Sequence, residues 1–185
     1  DDQKQHLELC RDIAQKFNND YKMDNFFIVP EPLIKKEFSR IMSLKDGLKK
    51  MSKSDVSDLS RINLTDDKDK IINKIKKAKT DTQPLPFTIE ELEKRPEAKN
   101  LIGIYSSLTN NTLQKSIDEF AGKNFSEFKE RLSEIVVNEI NPISLRIKNL
   151  LDDKVFLEKI LKDGYEKANE IASKKIKKIH KILGF

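Results

Sequence analysis

The sequence has few residues that could cross-link a small protein by disulfides or metal ions. Cys10 is the one cysteine among 185 residues, which excludes an internal disulfide framework and a cysteine-based metal site, and suits a reducing compartment. His6 has no second histidine within a helical turn, so a hydrogen-bonded structural histidine is a better interpretation than a metal ligand. We therefore predict no protein-held metal.

Long apolar runs are also missing. Charged residues make up 36% of the chain and hydrophobic residues 37%, and no stretch approaches the roughly 20 apolar residues that a bilayer-spanning helix needs. This composition predicts a soluble protein without a membrane contact, with one domain or two small ones. The net charge of +5 permits a polyanionic partner without proving one.

The chain shows no signal pattern and begins at Asp1 rather than methionine. From this start we expect a piece of a longer chain, so the missing targeting segment says little about location. Its frequent lysine, asparagine and isoleucine indicate an AT-rich genome. This favours the cytoplasm of a bacterium over an organelle.

The chain is organised around residues 49–55, which read KKMSKSD and are predicted to form a polar, basic loop because they show no hydrophobic periodicity. Three lysines and two serines so close together would repel one another unless an anion lay among them. Lysine supplies a mobile charge for phosphate and serine a short donor. Ser54 and Asp55 are predicted to cap a helix whose first backbone N–H groups also favour anions. The segment therefore predicts a polyphosphate site.

Before this segment, apolar spacing predicts one helix and two short buried runs. Residues 3–17 carry apolar side chains on one helical face, with the acidic start favoured by the helix dipole. The runs Phe26–Pro30 and Arg40–Leu44 are each a buried strand or the end of a loop packed on one. The predicted helical face consists of Leu7, Cys10, Ile13, Ala14 and Phe17.

After the segment, we predict a nearly all-helical chain from Ser54 onward. One helix follows residues 65–66, with an apolar face and a surrounding lysine run, including Lys74, that is solvated by default. Residues 80–87 contain two prolines and predict a linker between subregions. A capping box at residues 88–91 starts a short helix, and Tyr105 is a core residue of the next, over residues 97–109. The face of the first of these helices consists of Ile71, Ile72, Ile75 and Ala78.

Two long helices complete the chain. Asn124 caps the first, which runs to about Leu151 and is predicted to be interrupted and kinked at Pro142. The second opens at residues 152–153 and ends at Gly184, with an apolar line along it. Between Lys159 and Lys181 it carries eight lysines against three acids, so one flank is basic and could meet phosphates. That predicted line consists of Phe156, Leu157, Ile160, Leu161, Tyr165, Ala168, Ala172, Ile176, Ile179 and Ile182.

Several segments carry a family resemblance. Residues 50–54, KMSKS, resemble the second signature of class I aminoacyl-tRNA synthetases. Residues 1–14, DDQKQHLELCRDIA, are more specific and resemble the GEDQKQH-LEL-RD-A segment of the tryptophanyl enzymes. Residues 40–44 resemble the R-[IV]-M-S-L that leads into that signature, and residues 162–168 resemble the last helix. Asp46-Gly47-Leu48 stands where many relatives have Asp-Pro-Thr, so we expect a less stiff entry and a loop that is mobile without ATP.

The resemblance implies a mainly α fold. Residues 1–60 would be the carboxyl-terminal remnant of a Rossmann-type catalytic domain, and residues 61–185 an all-helical region that binds the tRNA anticodon. It also implies ATP-dependent activation of tryptophan and its transfer to tRNA-Trp, with Mg²⁺ accompanying the ATP, by a homodimeric full-length enzyme.

The residue roles follow from the motif matches. Lys50 and Lys53 would hold the departing pyrophosphate, Ser52 would donate to a phosphate, and the Met51 backbone would contact adenine. Asp2 would bind the ATP ribose, with Gln3 beside it. Phosphates of tRNA would be contacted by Lys174, Lys175 and Lys178, which as lysines read charge rather than sequence.

Two alternatives stay open. The chain could come from another class I synthetase of the tyrosyl type, or it could be a noncatalytic helical module that binds RNA or forms dimers. The HIGH signature, whose histidines bind ATP phosphates in the family, occurs nowhere in the sequence. We therefore expect the 185 residues alone not to form an adenylate.

Overall fold

A computed structural model describes residues 4–33 and 40–185 of the chain. The fold is mainly helical, as predicted, and the sheet structure within these ranges is one two-stranded antiparallel hairpin. None of the helices in these ranges is long and apolar enough to span a membrane. The elements are α1 (Lys4–Asp20), β1 (Met42–Ser43), β2 (Asp46–Lys50), a 3₁₀ helix (Asp58–Ser60), α2 (Lys68–Lys76), α3 (Ile89–Glu93), α4 (Pro96–Thr109), α5 (Leu113–Phe120), α6 (Phe125–Asp152) and α7 (Lys154–Leu183).

The chain forms two compact units. The central unit comprises residues 35–148, and the terminal unit comprises residues 1–34 together with 149–185. These units divide the chain at other places than residues 60 and 61. The functional division at that point therefore stays a prediction.

The core of the central unit consists mainly of apolar side chains that are buried from solvent. Tyr105 of α4, Phe120 of α5 and Phe128 of α6 pack edge to face or tilted, with ring centroids 4.9–5.9 Å apart. Tyr105 is thus a core residue, as predicted, and burying a side chain such as Phe128 contributes about 1.5–3 kcal/mol. The core also contains Leu44, Ile71, Ile75, Ala78, Leu85, Leu92, Ala98, Leu101, Ile102, Ile117, Phe125, Leu132, Val136 and Val137.

Helix α2 confirms its predicted apolar face, with Ile71 and Ile75 buried and Ile72 packed at the core edge, and Ala78 is buried just after the helix ends at Lys76. The prediction that Lys74 belongs to a solvated lysine run is wrong, because its side chain is buried. Two carboxylates compensate its charge, which periodicity cannot reveal.

The composition of the proline-containing segment 80–87 predicts a linker between subregions, but the segment does not connect separate units. It lies inside the central unit, where the Arg95 guanidinium pairs with Asp81 and donates to the carbonyl of Pro84 at 2.6 Å. Leu85 is buried, and its backbone pairs with Gly122 and Lys123. These contacts fix the segment.

Most predicted helix ends are confirmed. The Asn124 side chain accepts from the Glu127 N–H, Asp153 caps α7, and Gly184 ends it with φ at 86°. Thr88 caps α3. The predicted interruption at Pro142 is wrong, since α6 continues through it.

In the terminal unit, α1 packs against an aromatic turn. The ring of Phe17 lies 4.8–5.2 Å from those of Tyr21, Phe26 and Phe27, and the Asn18 amide exchanges two hydrogen bonds with the Phe27 backbone. The run that begins at Phe26 is a loop rather than a strand.

The apolar faces predicted for the helices of the terminal unit are covered only in part. On α1, Ala14 is buried, but Cys10 and Ile13 are exposed. On α7, whose residues are all described, none is buried. The residues of the apolar line predicted on α7 all lie on this helix, but periodicity shows only that side chains share a face and not that anything covers it.

Candidate functional site

The segment KMSKS begins at the last residue of a strand. Lys50 ends β2, so the prediction that Lys49 and Lys50 lie in an irregular loop is wrong. Met42 pairs with Lys50, and Ser43 pairs with Asp46, across an irregular register. Arg40–Leu44, predicted as a strand or a loop packed on one, thus supplies the short strand β1. The hairpin fixes where the signature loop starts.

Helix α4 holds this hairpin through Asn100, which the sequence reasoning missed. Its side-chain oxygen accepts from the Met42 N–H at 2.9 Å, and its side-chain nitrogen donates to the Met42 carbonyl at 2.8 Å. The amide therefore continues the strand pairing as a neighbouring strand would. A sequence signal was present, because Asn100 stands beside Leu101 and one turn before Ile104 on the inward side of α4.

The first turn of α4 also packs directly on β2. A Cβ atom at Gly47 would lie 2.6 Å from backbone atoms of Pro96 and Glu97, so the glycine permits this close approach. Glu97 pairs with Lys79 at 2.9 Å. The hydrogen bond from Lys79, with a further one from the Gly47 N–H, lowers the pKa of Glu97, although partial burial of the carboxylate acts to raise it. Gly47 thus permits close packing of α4 on β2, whereas the mobility of the loop without ATP stays a prediction.

The loop after Lys50 is exposed from Lys53 onward and bonded mainly to itself. Met51 is half-buried at the core edge, and its N–H donates to the Ile41 carbonyl at 3.1 Å. The hydroxyls of Ser52 and Ser54 lie 2.9 Å apart, and Lys53 is exposed. Two serine hydroxyls and a mobile ammonium are therefore presented to solvent together, a donor set that suits phosphate.

No helix begins at Ser54, contrary to the prediction. The Asp55 side chain instead accepts from the Ser57 N–H at 2.8 Å, which shapes a turn. A 3₁₀ helix follows at Asp58–Ser60, and the next α-helix starts only at Lys68, after the cap Asp67. The anion donors expected from a helix start at Ser54 are therefore absent.

Charged side chains hold the segment that follows the loop. The Lys74 ammonium lies 2.6 Å from Asp66 and 2.7 Å from Asp58, and its hydrogen bond lowers the pKa of Asp58. Ser60 is fully buried, and its carbonyl accepts from the Leu44 N–H at 2.8 Å. This last bond joins the end of the segment to the hairpin at its start.

The basic helix α7 presents its three predicted tRNA-contacting lysines unequally. Lys174 pairs with Glu170 at 2.7 Å, and Lys178 is exposed. The Lys175 ammonium lies 3.8 Å from the ring centroid of Phe26 and donates to that residue's carbonyl. Lys175 is therefore already occupied within the terminal unit, a contact that no helical pattern could have predicted.

The remaining predicted site residues give little geometry. Asp2 and Gln3, the predicted ribose-side contacts, lie outside the described residues. His6 is exposed on α1. Among the residues that the structure does describe, no group of three His, Cys, Asp or Glu could hold a metal ion.

The sequence of the chain is similar to those of known proteins. The family described as tRNA synthetases class I (W and Y) matches residues 1–140. The tryptophan–tRNA ligase of Caulobacter vibrioides is 51% identical over all 185 residues, and that of Rickettsia felis 50% identical. The chain covers 54% and 55% of these two proteins, so it spans about half the length of the curated relatives it matches.

Solved structures agree with the sequence relatives. The tryptophanyl-tRNA synthetase of Mycoplasma pneumoniae superposes over the whole chain with a TM-score of 0.80 and 29% identity, and the chain covers 54% of it. The Campylobacter jejuni enzyme, complexed with ADP and tryptophan, superposes over the whole chain with a TM-score of 0.67 and 28% identity, and 55% of it is covered. The chain therefore belongs to the class I tRNA synthetases of the tryptophanyl and tyrosyl family.

Proposed function

We propose that this chain is the carboxyl-terminal half of a tryptophan–tRNA ligase, and that residues 50–54 handle the phosphates of ATP. The observation that carries the proposal is the exposed KMSKS loop between two fixed segments, one held by α4 and the other by α2. Relatives named tryptophan–tRNA ligase, 45–51% identical over the whole chain, support tryptophan as the amino acid.

In the proposed reaction, the tryptophan carboxylate attacks the α-phosphorus of ATP, and pyrophosphate leaves. The aminoacyl group then passes to the terminal adenosine of tRNA-Trp, and AMP leaves. The chain's own contribution is charge stabilisation: Lys50 and Lys53 take up the charge that develops on the leaving pyrophosphate, and Ser52 donates to a phosphate oxygen. The proposed Mg²⁺ would be held by ATP oxygens, since the loop supplies chiefly donors.

The proposed contact between the Met51 backbone and adenine can be assigned to one backbone group. Its N–H already donates to Ile41 in this conformation. A contact with adenine that leaves this bond intact would use the Met51 carbonyl, which can accept from the amino group of the base.

The other parts of the proposal rest on the family. Asp2 would bind the ribose with Gln3 beside it, and residues 1–60 would complete a Rossmann-type domain. Residues 61–185 would face the tRNA anticodon, with Lys174 and Lys178 better placed for phosphates than Lys175. The full-length ligase would be a homodimer in the bacterial cytoplasm, in keeping with relatives from bacteria.

The test is ATP–pyrophosphate exchange by a ligase that contains this chain as its carboxyl-terminal half. We expect exchange with tryptophan and none above background with tyrosine. Exchange with tyrosine alone would replace the proposal with a tyrosyl ligase. Binding of tRNA with steep salt dependence but no exchange would favour the noncatalytic RNA-binding module. The 185 residues alone should show no exchange, and robust exchange would contradict the proposed division of the site.

A further inference from the structure

We propose that Arg61 is a positioning residue, which ties the end of the signature loop to the buried ion pair of Lys74. The proposal rests on the proposed function insofar as the loop binds ATP. Its structural part concerns the described residues of the central unit alone.

The inner end of this connection is fixed. The side chains of Lys74 and Asp66 are 3% and 6% exposed and lie 2.6 Å apart. Asp66 also accepts from the Asn63 N–H at 2.8 Å. Lys74 reaches Asp58 with a second bond of 2.7 Å, so a buried ammonium on α2 fixes the first residue of the 3₁₀ helix.

Arg61 carries this position outward to the loop. One guanidinium nitrogen lies 3.3 Å from the Asp58 carboxylate. Another donates to the Asp55 carbonyl at 3.0 Å and lies 3.4 Å from the Ser57 carbonyl, while the third nitrogen donates to the Asn63 side chain at 3.2 Å. The side chain is 18% exposed.

The target of this contact is the residue that directly follows KMSKS. Arg61 holds the Asp55 carbonyl, and the Asp55 carboxylate shapes the turn to Ser57. Only a planar guanidinium can serve these partners in fixed directions at once. Without the guanidinium, the loop would still start at the end of β2. However, Arg61 would no longer hold the backbone on the carboxyl-terminal side of Lys53. Because catalysis depends on placement to within about 1 Å, the loss should reduce the rate more than substrate binding.

The first experiment measures hydrogen exchange in the 185-residue chain. Arg61→Gln breaks the outer connection, and Asp58→Asn weakens the bridge between Lys74 and Arg61 while the Lys74–Asp66 pair remains. Arg131→Gln is the matched control, because Arg131 also pairs with a carboxylate three residues away, Glu134, but on α6.

We expect the amides of residues 54–57 to exchange several-fold faster in both test variants. They should be unchanged in the control, and the melting temperature should fall only slightly, most in Asp58→Asn, which gives up its ion pair with Lys74. Unchanged exchange at 54–57 would overturn the proposal. Equally faster exchange throughout the central unit would overturn it too, since the network would then serve general stability.

The second experiment uses the ligase that contains this chain. In tryptophan-dependent ATP–pyrophosphate exchange, Arg61→Gln should lower kcat at least about tenfold with the KM for tryptophan little changed. Arg131→Gln should leave both unchanged. A loop that is loosened in the first experiment while kcat stays normal would overturn the positioning role. A parent ligase without any exchange would refute the proposed function, whereas hydrogen exchange would still decide whether Arg61 holds the loop.

Discussion

The signature loop and the segments on either side of it are built by opposite means. Residues 53–55 are exposed, Ser52 is half-buried, and the four are bonded mainly to one another. The segment before them is held by a buried amide and a close backbone approach from α4. The segment after them is held by a buried ammonium from α2.

We therefore expect substitutions in the loop and in its flanking segments to have different effects. Changes at the buried contacts of the flanks should cost folding free energy, because they remove buried partners, whereas Arg61, which links the flank to the loop, should affect chiefly the rate. Changes in the loop should cost catalysis and leave stability almost untouched, because its side chains already face water. The following variants test that separation.

Lys74→Met should have the largest effect on stability. It leaves the buried Asp66 carboxylate without its cation, which costs about 3–5 kcal/mol for a buried pair that loses one partner. Urea unfolding of the 185-residue chain measures this loss. The control is Lys70→Met on the same helix, whose partner Asp67 is exposed, with an expected loss of about 0–1 kcal/mol. Equal losses for the two variants would show that burial of Lys74 is unimportant.

Lys53→Ala should have the next largest effect, on activity alone. Losing a donor that stabilises transition-state charge costs on the order of 10²–10³ in rate, or about 2.7–4 kcal/mol. Tryptophan-dependent pyrophosphate exchange by the full ligase measures it, and urea unfolding should give the wild-type stability. Lys115→Ala, on the exposed side of α5, is the control with the same charge change. An unfolding free energy that falls along with activity would break the contrast between loop and flank.

Gly47→Ala tests the flank before the loop. The added Cβ would meet the backbone of Pro96 and Glu97 at 2.6 Å, so α4 or β2 must shift, at a cost of about 1–3 kcal/mol. The neighbouring Leu48→Ala is the control, because Leu48 is 76% exposed. If Gly47→Ala were as stable as this control, the close contact would not be holding the hairpin.

Acid should affect the flank after the loop through Asp58, as the smallest of these effects. The hydrogen bond from Lys74 lowers the pKa of Asp58 in the folded state. Its contribution is therefore full above the unfolded pKa of about 3.9 and is lost as the pH falls through the lower folded value. Thermal unfolding from pH 6 downward should show less loss of stability in acid for Asp58→Asn than for the wild type. Parallel curves would show that Asp58 contributes nothing in this range.

The sequence predicted the parts of the fold that depend on local preference. Apolar spacing identified the buried face of Ile71 and Ile75, and Asn124, Asp153 and Gly184 mark helix ends by side-chain bonding or backbone conformation. These features depend on residues within a few positions along the chain.

Most of what the sequence did not reveal depends on contacts between distant segments, whereas the helix that continues through Pro142 and the missing helix start at Ser54 are local failures. Whether Lys74 is solvated or buried is decided by Asp58 and Asp66, which lie 16 and 8 residues away. Asn100 acts on Met42 across 58 residues, and Lys175 acts on Phe26 across 149. The KMSKS motif points to the proposed site by its residue types, but the anchoring of the loop by Asn100 and Lys74 could not be inferred from them.

The most direct test of the central claim is a titration of the isotope-labelled 185-residue chain with inorganic pyrophosphate, followed by NMR of its backbone amides. We expect the largest shifts to fall on residues 51–55, and we expect Lys53→Ala to remove them. Shifts that instead fall on the lysines of α7, or no saturable shift in the loop, would contradict the central claim.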